Sequence, residues 1–170
     1  MDARNQELRE GIRAAMIAER TGREFYRMAA EHTQDPSGRQ VFAQLADEEQ
    51  LHFDYLAKHY RSLTEKGELA KGVTLGKAHE LAADHPIFSA DFKSRLKGAH
   101  FEMSALAIAA HLELNGINHY KSLAAKAAAP EAKKLFEDLV EWEKGHYDAF
   151  IRQQEELQEA YWNEAGFSPF

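Results

Sequence analysis

The sequence has no cysteine among its 170 residues. This absence excludes disulfides, thiolate-bound metals and any iron–sulfur or rubredoxin-type centre within the chain. Proline occurs only four times, and the abundant Ala, Leu, Glu, Lys and Arg favour helix. The best apolar run, from Ser104 to Ala110, ends at His111 and is too short to span a bilayer. The composition therefore predicts a helical protein that is not embedded in a membrane.

An excess of positive charge is also missing. The net charge is -7 with His neutral, and the basic residues are scattered among acidic ones, so no nucleic-acid partner is predicted. The first seven residues carry charges where a signal peptide would need an apolar stretch, which favours a cytoplasmic protein. The length favours a single domain over residues 1–170.

The sequence contains an internal repeat. A shift of 94 residues aligns residues 15–54 with residues 109–148, with eleven identities in forty positions and no gap. A repeat of this length predicts two copies of one helical hairpin. The matched pairs include Glu19 with Glu113, Gly22 with Gly116, Tyr26 with Tyr120, Pro36 with Pro130, Glu49 with Glu143, His52 with His146, and Asp54 with Asp148.

Apolar residues recur at alternating spacings of three and four, the period of one helix face. This pattern predicts a first hairpin at about 4–64 and a second at about 99–161. The predicted helices are about 4–33, 37–64, 99–128 and 131–161, and breaks containing Pro36 and Pro130 separate the members of each pair.

A long connection at about 65–98 joins the hairpins, with helical fragments predicted near Lys77–Ala83 and Ser89–Leu96. A connection of this length can cross a bundle from end to end, as in ferritin-like topology. The predicted fold is therefore an all-α, ferritin-like four-helix bundle. The aromatic tail at 162–170 is expected to dock on the bundle or on a neighbouring subunit.

Six ionisable residues interrupt the apolar faces, where a bundle would ordinarily place leucine. Four buried carboxylates would be costly without compensation, and two divalent cations would balance their charge. Each Glu-x-x-His pair spans one turn, so its two side chains face the same way. The ligand set matches that of di-iron and di-manganese carboxylate bundles, and zinc suits it less well. The six are Glu19, Glu49, His52, Glu113, Glu143 and His146.

A family resemblance rests on these same positions. The pattern Glu19-x-x-Gly22-x-x-x-Tyr26, followed by Phe42-x-x-Leu45-Ala46-x-Glu48-Glu49-x-x-His52, resembles the rubrerythrin-like branch of the ferritin-like superfamily, and the second copy runs from Glu113 to His146. The resemblance implies two iron ions, with manganese or zinc as substitutes, and a homodimer. It also implies that Glu19 and Glu113 are ligands, that Glu49 and Glu143 bridge, and that His52 and His146 bind one metal each.

The chain departs from rubrerythrins proper in two ways. It has no cysteine for the rubredoxin centre that supplies electrons, and Gly116 stands where the third helix usually carries a second carboxylate. The expected centre is therefore the more symmetric kind, similar to that of bacterioferritins. Catalytic turnover would need electrons from a separate donor protein.

Several neighbouring residues allow two interpretations. Gly22 and Gly116 serve either close helix packing or space for an oxidant beside the metals. Tyr26 and Tyr120 are predicted as core residues with a hydrogen-bonded hydroxyl rather than as redox groups. Glu48 is not predicted to act at the metals, because its counterpart in the repeat is Trp142.

The remaining candidates lie further from the six. Asp54 and Asp148 are two positions past the histidines and are predicted to face elsewhere. His59 continues the face that carries His52 and could line a route to the centre. Surface positions are predicted for the other histidines, which are His32, His79, His85, His100, His111 and His119.

Together these features favour an iron-dependent redox protein that reacts Fe(II) with O₂ or H₂O₂, as a ferroxidase or a peroxidase-type oxidoreductase. The alternative is iron binding or storage without sustained turnover. An oxidase that acts on an organic substrate is a third interpretation, but no residue identifies a substrate pocket. The sequence does not name the physiological oxidant, the electron donor or the native metal.

Overall fold

The computed structural model describes residues 3–76, 86–94 and 100–165. This part of the chain is helical and contains no strand, which confirms the predicted all-α fold. The helices are α1 (Ala3–His32), α2 (Pro36–Lys66), α3 (Ala90–Lys93), α4 (His100–Lys126) and α5 (Pro130–Ala165).

The ends of α2 follow from their sequence. Asp35 caps the first turn, where its carboxylate accepts a hydrogen bond from the Gly38 N–H at 2.9 Å, and Pro36 occupies a position that needs no donor. Gly67 ends the helix in the left-handed region (φ 75°), and its N–H reaches the Leu63 carbonyl at 3.1 Å.

The end of α5 corrects the sequence prediction. The helix continues to Ala165, four residues past the predicted end at 161. Residues 162–165 include no glycine or proline, so nothing in the chain stops the helix before Gly166. The final residues, 166–170, lie outside the described part of the chain, and with them most of the aromatic tail.

The helices pack as a ferritin-like four-helix bundle. Helix α1 packs along α2, α4 packs along α5, and α1 also packs against α4. The two repeat copies thus form the two hairpins of the bundle.

The connection between the hairpins touches both ends of the bundle. At one end, the Asn5 side chain donates to the Gly67 carbonyl at 2.9 Å, and Leu69 is packed against the core. At the other end, the Ser89 N–H and hydroxyl both donate to Asp35. Because α2 separates Asp35 from Gly67, the chain must cross the length of the bundle. The predicted fragment at residues 77–83 lies outside the described residues, and of residues 89–96 only α3 and its flanks are described.

Two apolar clusters fill the bundle, one towards each end. The first contains Tyr26, Phe42 and Phe150 with Phe88 of the connection, and the second contains Leu56, Leu63, Tyr120 and Phe136. Within the described ranges, no helix is both long and apolar enough to cross a membrane.

Candidate metal centre

The six predicted ligands meet between the two apolar clusters. Each of the four long helices contributes, and the two Glu-x-x-His pairs come from α2 and α5. All six side chains are buried, and none is more than 4% exposed. The residues brought together are Glu19, Glu49, His52, Glu113, Glu143 and His146.

The six form two overlapping groups that could each hold a metal ion. One group is Glu19, Glu49, His52 and Glu143, and the other replaces Glu19 and His52 by Glu113 and His146. Within each group, one ligand atom per residue lies within 4.8 Å of every other. Glu49 and Glu143 belong to both groups, and they are the two residues for which the resemblance implies a bridging role.

Both histidines turn Nδ1 towards the carboxylates. The Nδ1 of His52 lies 3.1 Å from Glu19 Oε2 and 3.3 Å from Glu143 Oε1. The Nδ1 of His146 lies 3.6 Å from one oxygen each of Glu113 and Glu143, and it has no hydrogen-bond partner. A buried imidazole nitrogen that faces carboxylates without a bond to them is placed to bind a cation.

The carboxyl groups compete for protons. Burial raises the pKa of Glu19, Glu49 and Glu113 well above the usual value, and the negative charge of neighbouring glutamates raises it further. Burial also disfavours the charged form of Glu143, but hydrogen bonds with Glu113, His146 and His52 and the charge of His52 outweigh it and lower its pKa. The four carboxyl groups therefore do not favour full ionisation unless positive charge is added to the cluster.

The pKa values of the two histidines also indicate that the cluster favours positive charge. Burial lowers the pKa of His52 and His146, but Glu143 beside His52 and Glu113 beside His146 outweigh the burial and raise both. Within these six side chains, positive charge can come only from bound protons. Two divalent cations would replace these protons, so the residues fit a two-metal centre.

Comparison with known proteins agrees with this geometry. A family model described as Rubrerythrin matches residues 10–154. The chain belongs to the rubrerythrin family. Membership implies a di-iron protein, and no rubredoxin domain accompanies the match. Neither the curated proteins nor the solved structures include a significant match to the chain.

Two tyrosines connect the hairpins at this rubrerythrin-family centre. The Tyr26 hydroxyl donates to Glu113, and the Tyr120 hydroxyl donates to Glu19, so each bond joins one hairpin to the other. Burial, followed by the nearby carboxylates, raises the pKa of Tyr26 and keeps its hydroxyl protonated. The predicted core role with a hydrogen-bonded hydroxyl is confirmed, and the hydroxyls fix two of the candidate ligands.

Glu48 is not among the candidate ligands, as predicted, but it contacts one of them. Its side chain is buried, and its Oε2 lies 2.6 Å from His146 Nε2, on the far side of that ring from the carboxylate cluster. The repeat places Trp142 at the equivalent position, which argued against a shared metal role. Glu48 contacts a histidine of the opposite hairpin. Alignment of the two repeat copies cannot detect such a pairing.

A cavity of about 300 Å³ opens onto the carboxylates between α1 and α4. Gly22 and Gly116 line it, together with Tyr26, Tyr120 and His119. His119 was predicted to be a surface residue, but it is half-buried and its Nε2 has no hydrogen-bond partner. Its position opposite Phe25 in the repeat gave no signal of this role.

The glycines in this cavity have different neighbours. A Cβ on Gly22 would stand 3.1 Å from Glu49 Oε2, whereas a Cβ on Gly116 would meet Glu143 at 3.8 Å. Gly22 therefore permits a close approach of α1 to a candidate bridging carboxylate. At Gly116 an added methyl would make only an ordinary contact.

The other sequence candidates lie away from the cluster. Asp54 and Asp148 are exposed, as predicted, and Asp54 accepts a hydrogen bond from Gln50. His32, His100 and His111 are exposed, while residues 79 and 85 fall outside the described ranges. His59 is buried against Tyr55 and has no partner at either nitrogen. It lines a separate cavity of about 920 Å³ that also reaches Trp142.

Proposed function

We propose that this protein is a non-haem di-iron oxidoreductase of the ferroxidase or peroxidase type, which reacts Fe(II) with O₂ or H₂O₂. The observation that carries the proposal is the pair of overlapping ligand groups that share Glu49 and Glu143. Two separate mononuclear sites would not require common carboxylates. Shared carboxylates suit two metals that are bound side by side.

The donor set supports iron. It consists of carboxylate oxygens and imidazole nitrogens, and the chain has no cysteine to offer sulfur. Oxygen and nitrogen donors of this kind suit iron and manganese, and zinc suits so carboxylate-rich a set less well. Four ionised glutamates would balance two divalent cations. Manganese and zinc are therefore substitutes that the same residues could hold.

When bound side by side, two Fe(II) ions would supply the two electrons that one molecule of O₂ or H₂O₂ accepts. The side chains of the protein hold the ligands in place and give the oxidant access to them. The candidate ligands are buried, and the tyrosine hydroxyls hold Glu19 and Glu113 in place. The cavity between α1 and α4 gives a small oxidant a route to the carboxylates.

The proposal also covers what lies around the centre. Sustained turnover requires a separate electron-donor protein, because the chain has no cysteine for a rubredoxin centre of its own. A homodimer, a cytoplasmic location and a role in oxidative stress complete the proposal, and these rest on sequence features and family resemblance alone.

The deciding experiment counts iron and follows its oxidation. The apo protein is loaded anaerobically with Fe(II), bound iron per chain is measured, and a limiting dose of H₂O₂ or O₂ is then added. We expect saturation at two irons and oxidation faster than that of free Fe(II). Glu113→Ala should lose both properties, whereas Asp54→Ala, at an exposed acid of the repeat, should keep them.

Two results would overturn the proposal. Binding that Glu113→Ala does not change would mean that the six side chains are structural. Uptake of many more than two irons per chain, in a cage-like oligomer, would favour storage instead.

A further inference from the structure

We propose that the two metal positions are unequal: the position beside His146 binds its metal more tightly and fills first, whereas the position beside His52 binds weakly and exchanges. This inference rests on the proposed two-metal centre. It concerns the residues that contact each histidine on the side away from the carboxylate cluster. These residues differ between the hairpins.

His146 is supported from behind by a carboxylate. Its Nε2 lies 2.6 Å from Glu48 Oε2, and both side chains are almost completely buried. A carboxylate in this place accepts the Nε2 proton, fixes the tautomer with Nδ1 free to bind, and makes the imidazole a better ligand. Glu48 therefore positions His146 for its metal without touching that metal.

His52 has no such support. Its Nε2 is buried and has no hydrogen-bond partner. Its ring packs instead against the Trp142 indole, with centroids 4.9 Å apart and planes at 84°. Indole nitrogen is a donor and cannot accept the Nε2 proton. If His52 bound a metal through Nδ1, its Nε2 proton would stay buried without an acceptor, and the bound state would be less favourable.

The difference arises at one position of the repeat. Glu48 precedes Glu49 on α2, and Trp142 precedes Glu143 at the equivalent place on α5. Each of the two contacts the histidine of the opposite hairpin. The six candidate ligands are thus arranged as two equivalent halves, while the support behind their histidines is present in one half only.

The test measures metal affinity rather than activity. Co²⁺ is titrated into the apo protein without oxidant, and binding is followed by visible absorption and calorimetry. We expect two steps whose dissociation constants differ by about 10–100-fold, the usual effect of such supporting groups. His52→Ala should remove the weaker step, and His146→Ala should remove the stronger one.

Glu48→Gln then separates support from general stability. In the His52→Ala background it should weaken Co²⁺ binding by about tenfold or more, and in the His146→Ala background it should have little effect. Glu48→Asp, which keeps the carboxylate, should restore part of the loss. A residue with a merely structural role would weaken both backgrounds equally.

The outcomes distinguish the two proposals. Two Co²⁺ ions that bind with one common affinity, or a Glu48→Gln effect that is equal in both backgrounds, would overturn the inequality and leave the two-metal centre intact. Failure of the wild-type protein to bind Co²⁺, Mn²⁺ or Fe(II) would overturn the centre itself, and the inference with it.

Discussion

The hairpins α1–α2 and α4–α5 carry the same candidate ligands, but several other positions differ between them. Position by position, each glutamate and histidine of the cluster has an identical counterpart 94 residues away. At some other positions a charged or polar residue of the first hairpin is paired with a different residue of the second. Examples are Asp35 with Ala129, Glu48 with Trp142, and His59 with Gln153.

This comparison shows where the repeat is constrained. The candidate two-metal centre takes the same donors from both hairpins, so its inner residues are alike. Some of the other residues contact the connection between the hairpins, which meets each hairpin differently. Ser89 donates to Asp35 of the first hairpin, whereas the Phe88 N–H donates to Gln153 of the second. The repeat can therefore diverge wherever its surroundings are not themselves repeated.

The largest effect should come from the helix caps. Buried Asp35 accepts from the N–H groups of Gly38 and Ser89, at 2.9 and 3.1 Å, and from the Ser89 hydroxyl. Asp35→Ala should lower the free energy of unfolding by about 2–3 kcal/mol, because it removes the cap and leaves buried donors unpaired. Thermal and denaturant unfolding of the metal-free protein would measure the loss.

The matched change is Ala129→Asp, which gives α5 the cap that α2 already has. Ala129 is exposed, so a new carboxylate there meets no desolvation penalty. We expect a gain of up to about 1 kcal/mol. If Asp35→Ala cost no more than an ordinary surface substitution, the connection would not depend on Asp35 for its attachment.

The next largest effect is expected on metal affinity, and it should differ between the two glycines of the cavity. In Gly22→Ala the new methyl would crowd Glu49 Oε2 at 3.1 Å and displace a carboxylate that both ligand groups share. We expect Mn²⁺ or Co²⁺ affinity to fall about tenfold, the lower end of what displaced supporting groups cause. Calorimetric titration would measure it.

Gly116→Ala is the control, because its methyl would make only a 3.8 Å contact with Glu143. Its metal affinity should stay close to that of the wild type, and the apo protein should gain up to about 1 kcal/mol from better helix propensity. Equal losses of affinity in both variants would show that the close approach at Gly22 is unimportant.

The smallest effect should appear at His59. Burial lowers the pKa of His59 in the folded protein, whereas the unfolded chain has the ordinary value of about 6.5. As the pH falls below about 6.5, the unfolded state takes up a proton that the folded state refuses, so stability present at higher pH is lost. His59→Gln, which copies the second hairpin, should remove this loss.

The measurement is the difference in unfolding free energy between the wild type and His59→Gln at pH 7.5 and at pH 5.5. We expect the wild type to lose up to about 1 kcal/mol more over this range than the variant. Other titrating groups contribute equally to both proteins and cancel. Parallel pH profiles would mean that His59 is protonated as easily in the folded protein as in the unfolded chain.

Periodicity and the repeat predicted much of this molecule. They located the four long helices, the end-to-end connection and the convergence of the six ionisable residues. They succeeded because a residue on an apolar helix face has to enter the core, whatever its neighbours are. The same reasoning correctly predicted that Asp54 and Asp148 lie on the outside of the bundle.

Contacts between the hairpins were beyond this reasoning. Glu48 is next to Glu49 on its helix, and a shared metal role was not predicted for it because its counterpart is a tryptophan. Its partner, His146, belongs to the other hairpin, and the rotation of one hairpin against the other is set by packing rather than by spacing along the chain. His119 was missed for the same reason, because the cavity it lines exists only where α1 meets α4.

The crossed tyrosine bonds have a consequence for the order in which the candidate metal centre is assembled during synthesis. Tyr26 of the first hairpin holds Glu113 of the second, and Tyr120 of the second holds Glu19 of the first. During synthesis the first hairpin emerges with half of the donors and without the hydroxyl that steadies Glu19. The six candidate ligands can meet only after the second hairpin has docked, so an incomplete chain lacks the complete candidate metal centre.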